Sequence, residues 1–203
     1  MNSVDFSSDS LKLASGSSDK SIILWDLNTF EEIKSLKKHT DTVNCVRFSP
    51  NSKYLVSGSS DFMLNVWNIN DFRVFKQFTI ENGSILTLCF SSDSKILVTG
   101  STNKQINLWN METFKPIKTL DGHTDSVTAV SYNPNGRMFA SGSNDKTIKL
   151  WDSETFKEIR SLQSHQAQVS SLIFTLDGKI LISGSLDTTV KIWGLTGFED
   201  LKV

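Results

Sequence analysis

Residues 127–162 read VTAVSYNPNGRMFASGSNDKTIKLWDSETFKEIRSL and predict four short strands. The predicted strands are residues 127–132, 137–143, 147–151 and 156–162, and Asn, Pro, Gly and Asp residues between them favour turns. In the third strand, Ile148 and Leu150 face one side of the sheet, and Lys149 and Trp151 face the other. Short strands that alternate with turns, without helical periodicity, are typical of an all-β protein.

The same pattern recurs along the whole chain at an interval of 42 residues. Three columns of residues keep this interval: Trp25, Trp67, Trp109, Trp151 and Trp193; Gly16, Gly58, Gly100, Gly142 and Gly184; and Phe30, Phe72, Phe114, Phe156 and Phe198. Three independent columns in one register predict five copies of a four-stranded unit. The copies are expected at about 1–42, 43–84, 85–126, 127–168 and 169–203, within one domain over residues 1–203.

Composition excludes several classes of protein. The chain has 203 residues with 21 basic and 22 acidic side chains, and this balance argues against direct binding to nucleic acid. It has no run of about 18 apolar residues, so no membrane span is expected. It begins without a basic and then apolar signal region, and its two cysteines, Cys45 and Cys89, do not make a disulfide scaffold. An intracellular location, in the cytoplasm or the nucleus, is therefore expected.

The repeated residues resemble the WD repeat of the WD40 β-propeller family over essentially the whole chain. Gly122-His123, Ser141-Gly142-Ser143 and Trp151-Asp152 follow the order of that repeat, and the other copies match it in part. The resemblance implies one four-stranded antiparallel blade per repeat around a central channel. The expected fold is therefore an all-β propeller of five blades.

The resemblance also implies a structural role for the repeated polar residues. In WD repeats, Asp, His, Ser and Trp form a hydrogen-bonded chain inside each blade, and the three full sets here are His39, Ser57, Asp61 and Trp67; His123, Ser141, Asp145 and Trp151; and His165, Ser183, Asp187 and Trp193. A Ser-His-Asp hydrolase is the alternative interpretation. A catalytic triad occurs once per site, whereas this set occurs three times and without a G-x-S-x-G elbow, so no enzyme activity is expected.

The third repeat departs from this pattern. Glu81 stands where His is expected, Thr99 replaces Ser and Asn103 replaces Asp, so this blade is expected to be the least rigid. The first repeat begins too late in the sequence to include its His, and it retains Ser15, Asp19 and Trp25. All three histidines belong to the repeated sets and the cysteines form no C-x-x-C pair, so no metal site and no cofactor are expected.

Function is then expected at the loops of one end of the propeller, where members of the family bind partner segments. Three columns map to that end by resemblance: Asn2, Asn44, Leu86, Thr128 and Ser170; Thr42, Ser84, Ser126 and Gln168; and Ser18, Ser60, Thr102, Asn144 and Leu186. None of these side chains is charged, which favours an extended peptide over a phosphate backbone. Leu86 and Leu186 are the candidate apolar anchors; alternatively, each packs against a neighbouring loop.

The predicted function is a non-catalytic scaffold or adaptor for protein or peptide partners within a multi-protein complex. The alternative is a WD-repeat subunit of a ribonucleoprotein or chromatin complex that contacts proteins rather than bases. Five repeats are few for this family, which leaves three alternatives for the ring. The chain is part of a longer propeller, or a five-blade unit held by blade packing, or it completes a ring with another chain through its open terminal blades.

Overall fold

The computed structural model describes residues 1–195 and 200–201, and their regular elements are all β-strands. Phe198 and Val203, which belong to the last predicted fourth strand and its end, lie outside the described residues. Within the described part of the chain, no helix is long and apolar enough to cross a bilayer. The chain divides into two compact units, Met1–Leu88 and Cys89–Val203. A single domain over residues 1–203 stays a prediction.

The first unit contains two four-stranded antiparallel sheets, in each of which the strands follow one another in sequence order. The first sheet consists of β1 (Ser3–Phe6), β2 (Lys12–Gly16), β3 (Ile22–Asp26) and β4 (Glu32–Leu36). The second sheet consists of β5 (Val43–Phe48), β6 (Tyr54–Ser59), β7 (Met63–Asn68) and β8 (Val74–Thr79). The next strand, β9 (Ile85–Phe90), contains the boundary between the two units.

The second unit continues the same arrangement. Antiparallel neighbours in its third sheet are β10 (Ile96–Ser101), β11 (Ile106–Asn110) and β12 (Lys115–Leu120). The fourth sheet consists of β13 (Val127–Tyr132), β14 (Met138–Ser143), β15 (Ile148–Asp152) and β16 (Glu158–Leu162). The fifth sheet consists of β17 (Val169–Phe174), β18 (Ile180–Ser185), β19 (Val190–Gly194) and β20 (Asp200–Leu201).

The predicted all-β class and the five antiparallel sheets are confirmed. In the quoted stretch, β13 has the predicted bounds, and β14 and β15 begin one residue later than predicted. The fourth strand begins at Glu158 rather than at Phe156, because Phe156 has a φ of 55° and lies in the preceding turn. The carboxylate of Asp152 accepts the N–H groups of Glu154 and Thr155 and thereby fixes that turn.

Each sheet has two different faces. We call the face that packs against the following sheet the forward face, and the face that packs against the preceding sheet the backward face. In the first unit, Ala14, Ile22 and Leu24 on the forward face of the first sheet pack against a cluster on the backward face of the second sheet, formed by Val43, Val46, Phe48, Leu55 and Trp67. Burial of such clusters is the main stabilising contribution to a fold of this kind.

The second unit repeats this interface twice. The clusters pair Val98, Ile106 and Leu108 with Val127, Val130, Phe139 and Trp151, and Ala140, Ile148 and Leu150 with Val169, Phe174, Leu181 and Trp193. The same columns of the 42-residue repeat therefore meet at each of these interfaces. One type of contact between neighbouring sheets is built from three different sets of side chains.

A glycine on the forward face allows this close packing. A Cβ placed on Gly16 would lie 2.8 Å from Cγ1 of Val43, and a Cβ on Gly142 would lie 2.5 Å from Cγ1 of Val169. These distances are shorter than two non-bonded carbon atoms tolerate. A side chain at either glycine position would therefore clash with the branched residue of the following sheet. At Gly184, in contrast, the nearest atoms belong to Ser170 and Ser171 of the same sheet.

We expect Gly142→Ala to destabilise the protein by about 1–3 kcal/mol, because the added methyl group would overpack the contact with Val169. Gly184→Ala is the matched control in the same column, and it should cost less because the Ser171 hydroxyl can rotate away. Urea unfolding of both variants measures the difference. Equal losses of stability would contradict this account of the glycine column.

Candidate functional site

The fourth sheet contains a buried chain of hydrogen bonds between its polar repeat residues. His123 Nδ1 lies 2.8 Å from Asp145 Oδ2, and His123 Nε2 lies 2.7 Å from Ser141 Oγ. Trp151 Nε1 donates to the same Ser141 hydroxyl at 2.8 Å. Four residues from two strands and two loops are therefore connected, as the resemblance implies for these positions.

The donors and acceptors in this chain follow from the chemistry of its ends. The Asp145 carboxylate only accepts, so Nδ1 of His123 carries the proton and donates it. Nε2 of the neutral imidazole is then the acceptor, and the Ser141 hydroxyl donates to it while accepting from Trp151. Each buried polar group in the chain has a partner, which is the condition for a buried polar network to stabilise a fold.

The second and fifth sheets contain the same arrangement. The Nδ1–carboxylate distance is 2.9 Å for His39 and Asp61 and 2.8 Å for His165 and Asp187. The remaining bonds of the two sets join His39 to Ser57 at 2.7 Å, His165 to Ser183 at 2.8 Å, and Trp67 and Trp193 to these serines at 2.9 Å each. The structure thus brings together all three predicted sets of four residues.

Of this series of hydrogen bonds, the first and third sheets retain the bond from the tryptophan indole to a hydroxyl group. Trp25 donates to Ser15 at 3.1 Å, and Trp109 donates to Thr99 at 3.2 Å. Glu81, which stands at the His position, has an exposed side chain. In the third sheet Asn103 instead pairs with Gln105, whose amide reaches Asp121 at 3.1 Å. A more exposed set of amide contacts therefore replaces the buried imidazole.

Two further contributions to the network were missed from the sequence. In the second sheet, Asn65 places its amide nitrogen 3.1 Å from Nε2 of His39 and accepts from Gln77 at 2.7 Å. In the fourth and fifth sheets, the hydroxyls of Thr147 and Thr189 donate to the aspartate of their own turn. The column that contains Thr147 and Thr189 varies between Ser, Met, Gln and Thr along the repeat, so the sequence contains no sign that its members share a role.

Burial and hydrogen bonding shift the pKa values of these groups. Burial lowers the pKa of His39 and of His123, and it outweighs the opposing effect of Asp61 and Asp145. Burial alone would raise the pKa of Asp145, but hydrogen bonds from Thr147, Thr124 and His123 outweigh it and lower the pKa to about 2. The folded state thus favours a neutral imidazole beside an ionised carboxylate.

The three Ser-His-Asp sets do not have the surroundings of a catalytic triad. Ser57, Ser141 and Ser183 are fully buried, and each accepts a hydrogen bond from an indole. A nucleophile must reach its substrate, and these hydroxyls have no exposed surface. Burial also raises the pKa of the Cys45 thiol to about 12, which makes that thiol unreactive.

We expect Ser141→Ala to destabilise the protein strongly, because it leaves both His123 and Trp151 with an unpaired buried group at about 1–3 kcal/mol each. Thr99→Val in the third sheet removes the partner of the Trp109 indole and a 3.3 Å bond to the carbonyl of Asn107, but it affects no imidazole and should cost about half as much. Urea unfolding compares the two variants. A loss from Thr99→Val equal to that from Ser141→Ala would contradict the role assigned to the network.

Stability should fall on acidification in two steps. A histidine whose folded pKa is lowered contributes stability above about pH 6.5, and that stability is lost as the pH falls below this value. The lowered pKa of Asp145 adds a second loss between about pH 3.8 and pH 2. The melting temperature between pH 7.5 and pH 5 measures the first step. His123→Gln should be less stable at pH 7.5 but should show a smaller change with pH, and an unchanged pH dependence would be evidence against this assignment.

Three of the predicted partner-binding residues lie where the first strand of a sheet is irregular. In the second sheet Val43 pairs with Ser59 and Cys45 pairs with Gly58, so Asn44 is the extra residue of a β-bulge. Thr128 and Ser170 occupy the same place in the fourth and fifth sheets. A bulge turns its side chain away from the regular alternation, and the Asn44 and Thr128 side chains each reach the carbonyl of the first residue of the next strand in the column, Ile85 and Val169.

In the first unit, these residues bind one another and the next strand. Asn44 donates from its amide to Ser60 Oγ at 3.0 Å and to the carbonyl of Ile85 at 2.9 Å. The N–H of Ser60 donates to the carbonyl of Thr42 at 2.9 Å. The three predicted columns are therefore adjacent at this end of the second sheet. Leu86 is half-buried there.

In the second unit, the same loops leave more of their side chains accessible. The N–H of Asn144 donates to Ser126 O at 3.0 Å, and the N–H of Leu186 donates to Gln168 O at 2.9 Å. Ser126 Oγ also reaches the carbonyl of Thr102 at 3.4 Å, and the Thr128 hydroxyl donates to Val169 O. The Leu186 side chain is 65% exposed, and Ser170, the bulge residue of β17, is also exposed.

One polar atom of this end is left without a partner. Asn144 Oδ1 is buried and accepts no hydrogen bond from any described residue. Its amide belongs to the same column as Leu186, and both lie in the turn between the second and third strands. Because this oxygen is buried, an ordered water is the donor that can satisfy it.

Comparison with protein families gives five matches to one family model, the WD domain, G-beta repeat. The matched residues are 1–26, 30–68, 73–110, 114–152 and 156–194, which together include most of the chain. Each match after the first starts before the fourth strand of one sheet and ends with the third strand of the next, so the family repeat is out of phase with the sheets. Comparison with individual curated proteins gave no significant match.

Proposed function

Because the chain belongs to the WD40 family, whose members are generally non-catalytic and mediate protein–protein interactions, we propose that it is an interaction scaffold. Its partner is an extended peptide segment of another protein, and the binding surface is the set of loops that carries the bulge residues. The exposed Leu186 side chain is the observation that carries this proposal. A leucine with two thirds of its surface in water gains the most when a partner covers it.

The surroundings of Leu186 support a peptide as the ligand. Gln168, whose carbonyl accepts the N–H of Leu186, and the exposed Ser170 supply uncharged polar groups on the same sheet. An apolar anchor within a polar, uncharged rim is typical of a site for an uncharged segment with one large apolar side chain. A phosphate backbone would require Lys or Arg, and none of the loop positions named above carries either.

The loops of the first unit, taken by themselves, carry the same kinds of residue with less exposed apolar surface. The Asn44 amide already donates a hydrogen bond to the Ser60 hydroxyl. These two side chains therefore define the shape of the loop surface more than they offer polar groups to a partner. Leu86 is half-buried, and its contribution to binding is expected to be smaller than that of Leu186. The residues proposed for partner binding remain Asn44, Leu86, Thr128, Ser170, Ser60, Thr102, Asn144 and Leu186.

Peptide display tests the proposal. A library of random linear peptides is selected on the 203-residue chain, and the dissociation constants of selected peptides are measured by fluorescence anisotropy. Leu186→Ser should weaken binding about 10-fold or more, because an anchoring leucine contributes about 1.5–3 kcal/mol when buried. Leu86→Ser should have a smaller effect.

Leu176→Ser is the matched control. Leu176 is 96% exposed and belongs to the same sheet, but it lies in the turn between the first and second strands, at the other end of that sheet. Its substitution should leave affinity unchanged. Equal affinities of wild type and Leu186→Ser for every selected peptide, or failure to select any peptide, would overturn the proposed site.

A further inference from the structure

Two apolar faces of the sheets are exposed, and they are the two halves of an interface that the chain builds elsewhere. Val190, on the forward face of the fifth sheet, is 70% exposed, whereas Ile22, Leu64, Ile106 and Ile148 in the same column are at most 1% exposed. On this face Ile173 is also exposed, and Ile182 and Ile192 are half-buried. The forward face that elsewhere packs against a following sheet is therefore accessible here.

The backward face of the first sheet is the second exposed surface. Phe6 is 62% exposed, whereas Phe48 and Phe174 in the same column are 5% and 6% exposed. Val4 is also exposed, although its counterparts Val46 and Val130 are buried. The exposed residues on this face are those that elsewhere insert against a forward face.

We propose that the forward face of the fifth sheet binds the backward face of the first sheet of a second copy of this chain. The proposal is independent of the loop site, because neither face includes the loop residues. The two faces differ from each other, so the association is head-to-tail, with one face of each copy used at each contact.

The internal interfaces give the reason for choosing a second copy as the occupant. Three described interfaces join the same two sets of columns, so a forward face and a backward face are complementary in shape wherever they meet. Gly184 stands in the column of Gly16 and Gly142, where the Ser171 hydroxyl of its own sheet is the nearest side-chain atom, and Met1 stands in the column of the branched residues that cover those two glycines. A second copy thus brings the matching surface without any new type of contact.

The polar groups at these faces are also matched. Between the first and second sheets, Ser3 Oγ accepts the N–H of Val46 at 3.2 Å. Ser171 occupies the column of Ser3 in the fifth sheet, and Val4 occupies the column of Val46 in the first. The N–H of Val4 on one copy is therefore placed to donate to Ser171 of the other.

Light scattering after size exclusion, over a range of concentrations, tests the proposal. The wild-type chain of 22.7 kDa should show a molar mass above that of one chain, and the mass should rise with concentration. Val190→Asp and Phe6→Asp should each reduce it to one chain, because each places a carboxylate on one of the two faces. Leu176→Asp removes an even more exposed apolar side chain outside both faces, and this variant should associate like the wild type.

A mixture of the two variants gives the sharpest result. Val190→Asp retains an intact backward face and Phe6→Asp retains an intact forward face, so the mixture should form a 1:1 dimer and nothing larger. A mixture that stays monomeric would show that the two faces do not bind each other. A wild type that stays monomeric at every concentration would also overturn the proposal.

Disulfide trapping provides a second measurement that does not depend on the charged variants. The double variant Val4→Cys, Ser171→Cys places thiols at positions whose counterparts, Val46 and Ser3, are in contact inside the chain. Oxidation should yield a ladder of dimers and larger species on a denaturing gel, and Val4→Cys alone, the matched control, should yield no ladder. Oxidation of the double variant to a single-chain product alone would instead indicate that one chain joins its own two faces.

Discussion

The packing of a forward face onto the backward face of the next sheet is the contact on which the rest of the structure depends. A four-stranded sheet of this size cannot bury its apolar residues alone, so each sheet is stable only through its neighbours. The glycine column sets how closely the sheets approach, because it places a branched side chain such as Val169 directly over the backbone of Gly142. That close approach excludes water from the polar residues beneath it.

The hydrogen-bonded chains are a consequence of this exclusion. Once Trp151 and Ser141 are buried by the next layer, each of their polar groups needs a partner, and His123 and Asp145 supply the remaining ones. The third sheet shows that the full chain is not obligatory for a sheet to form. Thr99 satisfies the indole of Trp109, and the buried imidazole is replaced by contacts nearer the surface. The network therefore adds rigidity to a sheet that packing has already defined.

Much of this could be predicted from the sequence, because the repeat constrains each column five times. The class, the number of sheets, the strand positions and the grouping of polar residues all follow from columns that keep one register. What could not be predicted depends on the neighbours of a residue rather than on its own position. Val190 and Ile148 share a column and an apolar character, yet one is exposed and the other buried. Similarly, the bulge at Asn44 is a property of pairing between strands, which a single strand pattern does not reveal.

The ends and the faces of the sheets thus have different chemistry and suit different partners. The proposed binding positions beside Leu186 are uncharged, and one of them, Ser170, is the extra residue of a bulge, which fits the proposed segment that binds through one side chain and its backbone. The exposed faces around Val190 and Phe6 are broad and apolar, which fits a folded surface of matching shape. Because these surfaces share no residue, a copy that is bound through its faces retains its loops. Association in a head-to-tail manner would then place several equivalent loop sites in one assembly, and a partner with repeated segments would bind such an assembly more tightly than it binds a single chain.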